Sequence, residues 1–180
     1  GLFDYAEVYP LSGGNIRVFH KDMAAGAYLI LNDKGTTTDA GWLTRTANTG
    51  TLGAQMASGR YLIRMHRIVP QFCAVTSGKG TGVVDGMFVP MDFEPRIFVG
   101  KDASDGLYNW AMYCSDISSG NPVSDALRFN LDTAVVSAVP VDMNSSGVKA
   151  RNADNFINKL NATYRCIAWA KTPGKFARAR

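Results

Sequence analysis

Glycine sets the limits for this chain. Eighteen glycines are spread along 180 residues, and few windows of twelve pass without a breaker. A glycine costs a helix interior roughly 1 kcal/mol and a proline about 3, so long helices are disfavoured along the whole chain. What remains between the breakers is strand. Residues 15–20 alternate, with Ile16 and Val18 on one face and Arg17 and Phe19 on the other. Similar short pieces are expected at 28–31, 60–69, 87–90, 96–99, 110–114, 127–131 and 164–170. Residues 154–160 offer one or two helical turns at most. Short strands with turn chemistry between them predict an all-β protein, an antiparallel β-sandwich. Residues 32–60 and 132–163 read as long polar connections. Connections of that length are functional or conceal short strands.

An order of features occurs twice. Val18-Phe19-His20, Ala27 to Asn32 and Ala57 to Ile63 run parallel to Met112-Tyr113-Cys114, Ala126 to Asn130 and Asn161 to Ile167. Each copy has an aromatic strand, an aliphatic strand ending in Asn, a polar stretch and a last strand opened by Tyr. The expectation is two related halves, 1–70 and 71–170, followed by a basic tail, 171–180. Phe19 and Tyr113 should then occupy equivalent strands, as should Tyr61 and Tyr164.

Charge and cysteine narrow the function. The chain has 19 Lys+Arg and 15 Asp+Glu, and Lys171, Lys175, Arg178 and Arg180 account for the surplus. The body is electroneutral, so no nucleic-acid partner is expected. The tail reads as a solvated end, with a peg for an acidic partner as the alternative. Disorder is excluded by 46% hydrophobic and 19% charged residues. No run of about 18 apolar residues occurs, so no membrane insertion is expected. With Asp4 and Glu7 near the start, no secretory signal is expected either. Cys73, Cys114 and Cys166 lack metal-ligand spacing and sit among apolar residues, which reads as core packing; one disulfide with a spare thiol is the alternative.

Little in the sequence points to chemistry. Residues 78–82 are glycine-rich, but neither the spacing nor the helix of a phosphate loop is present. His20 and His66 stand far from each other and from any cysteine pair, so no metal and no cofactor is expected. No nucleophile elbow occurs. The acid pairs Asp92/Glu94 and Asp102/Asp105 fall in turns, where aspartate caps loops. No catalytic residue is assigned. Trp42, in the middle of a polar connection, is the candidate ligand-binding residue, while Trp110 fits a strand and a core position.

From about residue 78 onward, Gly80-Thr81-Gly82, Asp85-Gly86, Phe93-Glu94-Pro95, Ile97 to Lys101, Trp110, Asp116, Leu127 to Asn130 and Asn161 to Ala170 form a recognisable order. It resembles a β-rich repeat of tail-fibre and related virion proteins of tailed bacteriophages. Asp92 stands where that pattern has Gly, and residues 1–70 look like a second copy without the Phe-x-Pro part. The resemblance implies a virion location and a non-enzymatic tail-fibre or appendage module for host-surface adhesion. It also implies self-association, with a homotrimer favoured, contacts with other virion proteins, and a host-surface glycan as ligand. The alternatives are a capsid or tail decoration or connector protein with no ligand and, less favoured, a glycan hydrolase.

Overall fold

The computed structural model describes residues 2–38, 41–46, 49–56, 58–118 and 120–172. Most of the basic tail therefore lies outside the described residues. Among the described residues, helix is confined to one turn, α1 (Asn155–Asn158), and a 3-10 turn at Ala54–Met56. Asp154 caps α1 by accepting from Phe156 N at 2.7 Å.

Two five-stranded antiparallel sheets form the centre. The first has the order β4-β3-β2-β1-β7, from β1 (Tyr5–Pro10), β2 (Arg17–His20), β3 (Ala27–Ile30), β4 (Thr36–Thr38) and β7 (Tyr61–His66). The second has the order β12-β11-β10-β15-β8, from β8 (Cys73–Lys79), β10 (Pro95–Asp102), β11 (Ala111–Cys114), β12 (Ala126–Arg128) and β15 (Thr163–Ala170). Their facing sides share a core of Tyr5, Val18, Leu29, Val75, Val99, Trp110 and Ile167. Each such side chain, fully buried, stabilises the sandwich by roughly 1.5–3 kcal/mol. Polar links cross the same junction: Trp110 Nε1 donates to the Ile30 carbonyl at 2.7 Å, and His20 Nε2 lies 3.0 Å from the Thr76 carbonyl.

Both long polar connections conceal strands. The first contains the hairpin β5 (Leu43–Arg45) and β6 (Gly50–Leu52), which covers the outer face of the first sheet over Val8, Tyr28 and Ile30. The second contains β13 (Val141–Asn144) and β14 (Gly147–Ala150). These join β9 (Phe88–Pro90) in a three-stranded sheet over the outer face of the second. The molecule is thus four layers deep, with the two large sheets inside.

The register carries the internal repeat into three dimensions. Ala6 pairs with Phe19 as Phe98 pairs with Tyr113. Four residues further along, Pro10 pairs with Tyr61 as Asp102 pairs with Tyr164. Val18 pairs with Leu29 as Met112 pairs with Leu127. β1, β2, β3 and β7 therefore match β10, β11, β12 and β15 in both order and register. The repeated aromatics also share an environment. Phe19 and Tyr61 pack under the β5–β6 layer, and Tyr113 and Tyr164 under the three-stranded one.

Candidate functional site

Trp42 is not a surface residue. It is 1% exposed, closed between the β5–β6 layer and the first sheet, with its ring 5.2 Å from that of Tyr28. The Arg17 guanidinium sits over both rings, at 4.6 Å from Tyr28 and 5.9 Å from Trp42. The candidate ligand-binding residue therefore has no ring face open to solvent: the connection folds back on the sheet, and the largest apolar side chain in it fills the gap. Trp110 occupies the inter-sheet core, as its strand pattern predicts.

The other sequence-marked groups make local contacts. Asp92 accepts from Gln71 N at 2.9 Å, and Glu94 holds Lys171 at 2.7 Å. Asp105 pairs with Lys159, and Asp102, fully buried, accepts from Ser104 N at 2.8 Å. Lys101, buried beside them, donates to the carbonyls of Asp102 and Tyr108 at 3.0 and 2.7 Å. Burial brings its ammonium down to about 8. All three cysteines are free thiols, and burial pushes Cys73 up to about 11. His66 lies between the rings of Tyr5 and Trp169, and burial lowers its pKa. Among the described residues, no group of three His, Cys, Asp or Glu side chains could hold a metal ion.

Two cavities lie where the two halves of the repeat meet. An open one, about 570 Å³, is lined by Tyr9, Ile16 and Asn32 from the first half and by Phe129, Asn130 and Asp132 from the second. Asn32 and Asn130 are counterparts in the repeat, and each does the same local work. Asn32 Oδ1 accepts from Ile16 N at 2.9 Å, and Asn130 Oδ1 accepts from Trp110 N at 3.0 Å. Their amide nitrogens donate to the Gly14 carbonyl and to Asn109 Oδ1. A side-chain amide that bonds backbone in this way ends a strand cleanly and fixes the turn after it. Phe129 and Leu131, beside Asn130, remain 43% and 44% exposed.

Phe129 also lines a deeper cavity, about 270 Å³, walled by Val99, Met112, Ile167 and Trp169. One charged cluster projects into it. Glu7, 4% exposed, accepts from Tyr5 Oη at 3.2 Å, Tyr9 Oη at 2.5 Å and Arg64 Nη1 at 3.2 Å. Burial, and then the Glu7 carboxylate, raise the pKa of both tyrosines, and Glu7 raises that of Arg64. The buried carboxylate is therefore compensated on every side. The open cavity differs: aromatic and aliphatic faces stand beside amide and carboxylate groups with access to solvent, the mixture that holds a small polar ligand with apolar faces.

This site was missed in the sequence, although part of its signal was present. Asn32 and Asn130 were already paired by the repeat. Tyr5-x-Glu7-x-Tyr9 is a strand face, but a glutamate in that alternation reads as the solvent side.

Compared with known proteins, residues 10–173 match a family model described as a domain of unknown function, DUF7483. No curated protein and no solved structure matches the chain.

Proposed function

The chain belongs to the DUF7483 family, and we propose, on its motif order and open cavity, that it is a bacteriophage virion protein, an appendage module that adheres to a host-surface glycan. The open cavity between the halves carries this reading. Tyr9 and Phe129 offer ring faces, and Asn32, Asn130 and Asp132 offer hydrogen-bonding groups within one opening. A sugar ring presents the complementary surface, with apolar C–H faces and hydroxyl edges. The order of motifs from residue 78 onward supports the virion setting.

Single-site affinity in so open a cavity is weak, and display of several copies on one particle raises avidity by about 10²–10⁴. We therefore propose a homo-oligomer, with three copies favoured. Light scattering should give a mass of several chains, and a monomer at high concentration contradicts this. Phe129→Ala and Asp132→Ala, both at exposed or accessible positions, should each lower binding to host cells by roughly tenfold while the melting temperature shifts by only a few degrees. Unchanged binding in both variants removes the cavity from the reading. Release of sugar from host polysaccharide by the purified protein replaces adhesion with hydrolysis.

A further inference from the structure

The two halves differ at both sheet edges: β4 extends the first beyond β3, and β8 extends the second beyond β15. In the second sheet the outer side of β15 is closed: β8 pairs with it antiparallel from Thr163↔Lys79 to Trp169↔Cys73. The counterpart of β15 is β7, and among the described residues β7 pairs with β1 alone. Leu11 N donates to the Arg60 carbonyl at 2.9 Å, which sets the phase of that ladder. Leu62, Arg64 and His66 turn their backbone groups toward β1, while Tyr61, Ile63 and Met65 turn theirs outward. The strand is also apolar where it is bare, with Leu62 55% and Met65 52% exposed and Ile63 exposed between them. Natural sheets usually blunt such an edge.

We propose that the β7 edge is a docking site for an extended segment of a partner protein, apolar and acidic in alternation, which adds antiparallel to β7 as β8 adds to β15. The alternation follows from the two faces of β7. Ile63 and Met65 pair with Val8 and Ala6 and so lie on the outer face. Apolar side chains of the added strand lie beside them. Arg60 and Arg64 share the other face, where Glu7 holds only Arg64, and the carboxylates of the added strand lie there. Charge selects this occupant over a second copy. Residues 58–70 contain three arginines and no acid, so two β7 strands laid together repel. Main-chain bonds to Ile63 and Met65 supply affinity, and the alternating side chains supply selection. The proposal stands on the repeat and is independent of glycan adhesion.

The test uses the full chain and two synthetic octapeptides, one alternating valine with glutamate and one alternating valine with lysine. The glutamate peptide should bind at least about tenfold more tightly, weaken with salt, and slow hydrogen exchange at the Ile63 and Met65 amides. Ile63→Pro removes only an outward-facing donor, which an edge strand tolerates, and should abolish binding. Arg60→Glu, at an exposed position, should shift preference toward the lysine peptide. The proposal is overturned if the two peptides bind wild type equally, if binding survives Ile63→Pro, if Arg60→Glu leaves the preference unchanged, or if the chain alone self-associates with the β7 amides already protected.

Discussion

Two buried polar side chains show how single residues hold this molecule together. Asn158, fully buried at the end of α1, accepts from Thr81 N at 2.8 Å and Met87 N at 3.2 Å, and donates to the carbonyls of Val83 and Asn152 at 2.8 and 2.7 Å. The glycine-rich segment that precedes β9 is thus fastened from inside. Gly80 belongs to the same closure, since a Cβ there would meet the Lys159 carbonyl oxygen at 2.0 Å. Asn158→Ala strands several buried backbone groups and should cost about 3–5 kcal/mol in urea unfolding. His20 acts across the sheets. Its Nε2 faces the carbonyls of Thr76 and Cys166, and its Nδ1 accepts from Asp22 N at 3.2 Å, so the ring is neutral in the fold. Burial lowers its pKa to about 4, opposed by the Asp22 carboxylate. The unfolded chain then binds more protons between pH 6.5 and 4, and stability falls as pH falls through that window, by roughly 3 kcal/mol in all. His20→Gln keeps an amide donor at the same reach and does not titrate. Its unfolding free energy should change less between pH 7 and pH 4.5 than that of wild type, and an equal change assigns the loss to other groups.

At the scale of elements, the sequence showed strands where alternation or a short apolar, β-rich run was present. β2, β3, β7, β9, β10, β11, β12 and β15 were legible for that reason. β1 was not, because both of its faces are buried and one carries Glu7, so neither face reads as solvent or as core. β8 escaped because its alternation fades into Thr76, Ser77 and Gly78 at the edge of the sheet. β4, β5, β6, β13 and β14 are three or four residues long and lie in stretches that read as polar connections. Trp42 shows the cost: a threonine-rich connection looks solvated until it folds onto a sheet. The repeat fared better because it compares two stretches of the same chain. The Asn that ends each aliphatic strand was visible in the sequence, and the cavity those two residues border required the sheets to meet.

At the scale of the whole molecule, the halves depend on each other. The facing sides of the two sheets are apolar, and Trp110 and His20 bond across the junction. Heat or urea should therefore unfold the chain in a single transition followed equally by tryptophan fluorescence and by circular dichroism. A fragment of residues 1–70 leaves Tyr5, Val18 and Leu29 without their partners and should not hold its sheet alone. Separate transitions for the two probes, or a stable fragment, show that each half carries its own stability.

The bare edge of β7 has a further consequence. A sheet duplicated without difference would give a molecule with the same two ends, able to meet neighbours either way round. Here one half has its closing strand and the other lacks it. The chain consequently has a front and a back, and any assembly that engages this edge inherits a direction of growth.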